Sequence, residues 1–231
     1  MSKGKVIVID GMDGCGKHTQ TLRLLEYMLR NGYKVAMADF PNYESDSSGP
    51  VKMYLNGDMG RSPSEINPYS ASLFYSVDRF ITFNTKKLFE LYNSGWIILL
   101  DRYISANIIY QSSKFKDKKD REDFYKWLYE IECNKMGLPV DDITIAMTLP
   151  LEVSQKLMLE RYNGHSEKKD IHESDLKFLA EVRKNLEEAC VYLSSIGYNW
   201  VNFDCSKDGY IDTEENIQDR LIEIIKPIID S

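Results

Sequence analysis

The residues with the most evident chemical capacity are Gly11-Met12-Asp13-Gly14-Cys15-Gly16-Lys17, a GxxxxGK spacing. Its glycines let consecutive backbone N–H groups turn inward around phosphate oxygens. A helix starting at Lys17 adds the positive potential of its N-terminus, and the Lys17 ammonium can reach a transferring phosphate. The ligand predicted for residues 11–17, with His18 and Thr19, is a nucleoside triphosphate. An ordinary glycine turn is the competing reading, and the strand-like run before the motif and the helical run after it argue against it. Where the motif asks for Ser or Thr to place a hydroxyl on Mg²⁺, this chain has His18, and an imidazole is a poor ligand for so hard an ion. The metal must then be held by water, by the phosphates and by a carboxylate. Asp101, closing the apolar run Ile97-Ile98-Leu99-Leu100, stands where a Walker B aspartate would serve. Cys15 reads as a small residue that accommodates the turn rather than as a redox group.

These groups need elements to hold them. Residues 5–9 are apolar and β-branched, the pattern of a buried strand, and Leu22, Leu25, Met28 and Leu29 recur at helical spacing until the stop at Asn31-Gly32. A strand resumes at 34–38. Asn67-Pro68 opens a helix predicted to run until Asn93-Ser94-Gly95, ahead of a strand at 96–100. Further strands are expected at 143–149 and 199–203, the last preceded by the helical spacing of Leu176, Leu179, Val182, Leu186 and Leu193. Five strands alternating with helices predict an α/β fold, a doubly wound five-stranded parallel sheet with helices on both faces and ligands at the carboxyl ends of its strands. The charged stretches 114–123 and 161–173 read by default as solvated loop or helix surface.

Composition narrows the function. At 231 residues, 43% apolar and 28% charged, the chain reads as one globular domain spanning 1–231. Its 29 basic and 36 acidic residues give a net charge of −7, a field that repels polyanions and argues against nucleic-acid binding. No apolar run approaches the ~18 residues of a membrane helix, and no secretory cleavage pattern opens the chain. A cytoplasmic protein is expected. Cys15, Cys133, Cys190 and Cys205 form no CxxC pair, and three histidines assemble no structural zinc spacing, so the cysteines read as free thiols.

Several segments together resemble thymidylate kinase, a P-loop nucleoside monophosphate kinase family: the cradle, Phe40-Pro41, the helix Leu73-Phe74-Tyr75-Ser76-Val77-Asp78-Arg79, and Asp101-Arg102-Tyr103 continuing to Tyr110-Gln111. A GTPase would need an NKxD segment, and Asn134-Lys135-Met136-Gly137 lacks the aspartate. The resemblance implies ATP and dTMP as substrates, Mg²⁺, and a homodimer formed through the helix beginning at Pro68. It implies that Asp13 meets the deoxyribose hydroxyl region, that Tyr75 stacks on thymine and that Arg79 hydrogen-bonds its edge. Arg102 would hold the monophosphate, while Asn107, Tyr110 and Gln111 would line the base and sugar pocket. Where the family often has an arginine soon after the Phe-Pro pair, this chain offers Tyr43, whose phenol can donate to phosphate without adding charge. The serine usual four or five residues after the Asp101 position is blurred here by Ser105 and Ala106.

Phosphoryl transfer relies on in-line positioning and on cations facing the charge of the transition state. Some thymidylate kinases carry a basic residue after the cradle aspartate, but here that residue is Gly14, so the charge must come from elsewhere. Arg161, Lys168 and Lys169, beside Asn163-Gly164, are expected to form a mobile lid at about 161–173 that closes over ATP. The expected reaction is ATP plus dTMP giving ADP plus dTDP, for DNA precursor synthesis. A kinase for another monophosphate, such as dUMP or a purine nucleotide, and a non-catalytic nucleotide-binding regulator remain as alternatives.

Overall fold

The computed structural model describes residues 3–60, 62–161 and 176–231. Strand β1 (Val6–Gly11) leads through α1 (Lys17–Arg30) to β2 (Val35–Asp39). Helices α2 (Gly49–Leu55), α3 (Pro68–Thr85) and α4 (Leu88–Asn93) precede β3 (Ile97–Asp101). Next come α5 (Ile104–Tyr110), α6 (Lys118–Tyr129) and a π-helical turn, Glu130–Lys135, before β4 (Ile143–Thr148). Helices α7 (Leu151–Arg161) and α8 (Leu176–Ser195) are followed by β5 (Trp200–Asp204), a small hairpin of β6 (Ser206–Lys207) and β7 (Tyr210–Ile211), and α9 (Glu214–Ile229).

The main sheet is parallel with strand order β2-β3-β1-β4-β5, the doubly wound arrangement expected. Side chains alternate between its two faces. Val6, Val8, Ile98, Leu100 and Ala146 join one core, shared with α3, α5, α6 and α8; Ile7, Ile9, Leu99, Ile145 and Met147 join another, shared with α1 and α9. Because both faces of β1 are covered, its sequence is an unbroken apolar run. Sheet order turns at β1, so the crevice outside its carboxyl end, between the loops of β3 and β4, is where this architecture binds ligands.

The expected helix ends follow from local chemistry. Asn67 Oδ1 accepts from the Tyr69 and Ser70 amides and Pro68 occupies the first turn of α3, while the Tyr33 amide closes α1 by donating to the Met28 carbonyl beyond Gly32. The single helix expected from Pro68 to Asn93 is instead two. The chain breaks at Lys86-Lys87, where Lys87 adopts φ 57°, and the change of direction brings Leu88 into the core that already holds Phe83. The β6–β7 hairpin was not foreseen, since two-residue strands carry no periodicity; its Asp208-Gly209 turn was the available signal. Among the described residues no helix is long and apolar enough to cross a membrane.

Candidate active site

The loop after β1 is shaped by close approach. Gly11 sits at φ 130°, and a Cβ there would lie 2.0 Å from the Met147 carbonyl oxygen of β4. Gly16, at φ 78°, turns the chain into α1, whose N-terminus carries no side-chain cap and so leaves its first-turn amides to a ligand. Lys17 is buried, its Nζ donating to the Met12 carbonyl at 2.7 Å and lying 3.5 Å from Asp13 Oδ1. The Gly11 amide donates to Asp10 Oδ1 and the Met12 amide to the Met147 carbonyl, so both are spent on joining the loop to the sheet. The side chains of Met12 and Cys15 turn down into the cores. The part of this loop that lines the cavity begins at Asp13.

A cavity of about 470 Å³ opens at this loop and continues past β2, β3 and α5. It is lined by Asp13, Gly14, Gly16, Lys17, His18 and Thr19 at one end, with Asp101 and Arg102 between them and a second group comprising Phe40, Pro41, Tyr43, Tyr75, Arg79, Asn107, Tyr110 and Gln111. Residues predicted from segments up to 98 positions apart thus face one space. Asp39 and Leu55 line it too and were missed, and Ala106 shares the wall; strand-end position was the signal for Asp39. The Phe40-Pro41 bond is cis.

Between the two ends lies a knot of charge. Arg102 occupies the left-handed region at φ 67°, uncommon for a residue with a Cβ, and its amide donates to the Ile9 carbonyl. This backbone sends its guanidinium back to β1 and the loop: Nη2 donates to Asp13 Oδ1 at 2.5 Å, Nη1 lies 3.7 Å from Asp10 Oδ1, and the group packs 5.5 Å from the Tyr110 ring centre. Tyr110 donates its phenol to Asp13 Oδ2 at 2.6 Å. Burial works against the Asp13 carboxylate, but Arg102, Lys17 and Tyr110 outweigh it and hold the carboxyl well below the usual range. Asp10, fully buried, shows the opposite balance: burial raises it despite Arg102, Lys17 and the bond donated by Ser105 Oγ at 2.6 Å. Ser105 is therefore committed to Asp10, and Ala106 takes the cavity wall, which resolves the ambiguity at those positions.

Asp101 ends β3 largely buried, with His18 Nδ1 3.0 Å from its Oδ2. Among the described residues no cluster of three His, Cys, Asp or Glu side chains is placed to hold a metal ion, and Oδ1 of Asp101 meets no donor. That donor set suits a hard cation that takes most of its ligands from phosphate and water and one from a carboxylate.

At the far end, Tyr75 stands edge-on to Tyr54 with ring centres 6.4 Å apart. Arg79, nearly inaccessible, forks onto Glu132, Nε to Oε2 at 2.7 Å and Nη2 to Oε1 at 2.6 Å, and Nη1 donates to the Tyr103 carbonyl at 3.2 Å. Asn107 Nδ2 donates to the Ser72 carbonyl. Gln111 Nε2 lies 3.5 Å from the Tyr54 hydroxyl, while its buried Oε1 has no hydrogen-bond partner. Asp78, next to Arg79, accepts from the Asn42 amide at 2.9 Å and from Ser47, tying the loop of Phe40, Pro41 and half-exposed Tyr43 to α3. Arg161 ends α7, but its side chain, Lys168, Lys169 and the lid expected at 161–173 lie outside the described residues apart from that helix end.

A family model described as thymidylate kinase matches residues 9–196. The thymidylate kinase of Plasmodium falciparum is 26% identical, with 89% of this chain and 84% of that protein aligned. That of Mycobacterium tuberculosis is 28% identical over 71% of this chain and 72% of that one, and that of Schizosaccharomyces pombe 22% identical over 98% and 94%. The solved structure of thymidylate kinase from Candida albicans covers 99% of this chain and 94% of its own with a TM-score of 0.68 at 23% identity, a likeness of fold.

Proposed function

The chain belongs to the thymidylate kinase family, and on that premise we propose that it transfers the γ-phosphoryl group of ATP to dTMP, giving ADP and dTDP for DNA precursor synthesis. The observation that carries the reading is continuity: one cavity joins the phosphate loop to the pocket of Tyr75, Arg79 and Gln111, with Arg102 between them. An acceptor phosphate and a donor phosphate can therefore approach each other within one protein-lined space.

The donor triphosphate lies in the loop from Asp13 to Thr19, and Lys17 exchanges the Met12 carbonyl for phosphate oxygen. Tyr75 offers an aromatic face to thymine, Arg79 a donor to its edge, and Asn107, Tyr110 and Gln111 line base and sugar. Arg102 holds the monophosphate, with Tyr43, Phe40 and Pro41 shaping the rim and Asp13 meeting the sugar side. A monophosphate oxygen forms its bond to the γ-phosphorus as the bridging bond to ADP breaks. Mg²⁺, when bound, neutralises phosphate charge, and Asp101 is the side chain that would hold it, through water or directly. Arg161, Lys168 and Lys169 supply the remaining cations from a lid at about 161–173 on a single domain. A homodimer would bury the stripe Leu73, Val77 and Phe80 on α3, which is exposed by 38% or more in the isolated chain. The free cysteines support a cytoplasmic setting.

Coupled ADP release, run with dTMP, dUMP, dCMP and dGMP, tests the reading. Turnover that depends on monophosphate and is fastest in kcat/KM with dTMP is expected. ATP binding without dTMP-dependent turnover would refute it in favour of a regulator, and a higher kcat/KM for another monophosphate would reassign the substrate.

A further inference from the structure

Glu132 belongs to no motif and does not line the cavity, yet its carboxylate is fully buried. A buried carboxylate is costly unless its lone pairs are met, and here every partner comes from α3. Arg79 donates to both oxygens, and Ser76, one turn earlier on the same face, donates to Oε1 at 2.9 Å. The π-helical turn Glu130–Lys135 places Glu132 there. Its backbone is pinned on the far side, the Met136 amide donating to the Ile131 carbonyl and the Leu138 amide to the Glu132 carbonyl, both at 2.9 Å. Such π turns recur at functional positions.

The side-on fork through Nε and Nη2 fixes the plane of the Arg79 guanidinium, and the Tyr103 carbonyl takes one hydrogen of Nη1. Of the five N–H bonds, one on each terminal nitrogen remains, and Arg79 is part of the cavity wall. The pair is internally neutral and almost wholly buried, so an added phosphate would leave an uncompensated buried negative charge, whereas a neutral carbonyl would not. A donor-only group reads an acceptor: the 4-keto oxygen of thymine or uracil fits, and the 4-amino group of cytosine does not.

We propose that Glu132 is the positioning residue for base reading, holding the Arg79 fork so that its remaining N–H bonds select a keto pyrimidine. The inference rests on the kinase reading above and names how its acceptor site discriminates.

The test compares Glu132→Gln and Glu132→Asp with the unaltered chain, by calorimetric binding of dTMP and by kcat/KM for dTMP and dCMP. Gln keeps the shape but sets an NH₂ against the guanidinium; Asp keeps the charge, which favours retention of the fold, but draws the carboxylate back by one methylene. For Glu132→Gln, the Kd and KM for dTMP should rise about 10-fold or more and the dTMP to dCMP ratio should fall by a similar factor, while kcat and the KM for ATP stay within about 3-fold. Glu132→Asp should show a several-fold rise in the same direction. A purely structural role would lower the melting temperature without moving the base ratio. If Glu132→Gln does not fold, Glu132→Asp decides alone. Dissociation constants within about 2-fold of the unaltered chain, with the base ratio unchanged, overturn the proposal. Failure of the unaltered chain to turn over dTMP refutes the kinase reading instead.

Discussion

Replacing Tyr110 with Phe removes one oxygen and leaves the ring against Arg102. The lost bond, 2.6 Å from phenol to Asp13 Oδ2, is made to a carboxylate whose side chain is 10% exposed, so water replaces it poorly. Hydrogen bonds to charged groups contribute about 1.5–3 kcal/mol. At about 2–4 °C per kcal/mol for a chain of this size, the melting temperature should fall by about 3–12 °C at neutral pH. Asp13 also anchors Arg102, so a looser carboxylate should raise the KM for dTMP about 10-fold while the KM for ATP moves less than about 2-fold. The pH dependence has a definite sign. Asp13 is held below its usual range, so its contribution is present above the ordinary carboxylate value and is lost as pH falls through the folded one. The stability gap between the two proteins should therefore narrow as pH drops below about 4. Differential scanning calorimetry and the coupled ADP assay measure all three effects. A variant that melts within about 1 °C of the parent and keeps its KM for dTMP would show that the phenol does not support this cluster.

Asp101→Ala should lose most activity, on the order of 100-fold, while His18→Thr should stay within about 3-fold, since only the carboxylate is offered to a hydrated cation. The reverse ranking in steady-state rates would overturn the metal assignment. Burial lowers Lys114 to about 7, its Nζ donating to the Tyr54 hydroxyl and the Ile66 carbonyl. Between that value and the ordinary lysine value of about 10.4 the unfolded chain binds the extra proton, so stability should rise with pH across this window and the rise should vanish in Lys114→Met; parallel denaturant titrations at pH 7 and 9 read it. Replacing Lys168 and Lys169 together with Ala should lower kcat about 10-fold with little change in dTMP binding, and an unchanged kcat would remove them from the transfer step.

Much of the site was legible before folding because its signals are local. The cradle is a spacing of glycines and a lysine within one turn, the strands are short runs whose apolar character reflects burial on both faces, and the helix caps at Asn67 and Gly32 act over a few residues. The tertiary structure alone decided which charged groups would hold one another. Glu132 grips Arg79 across 53 positions, Ser105 serves Asp10 across 95, and Tyr110 reaches Asp13 across 97. None of these pairs leaves a periodic trace, because each depends on strand order β3-β1-β4 and on where a crossover helix returns. The same holds for the spent amides of Gly11 and Met12, the break at Lys87 and the commitment of His18 to Asp101. Residue type states what a side chain can donate or accept, and only packing brings the partner that makes use of it.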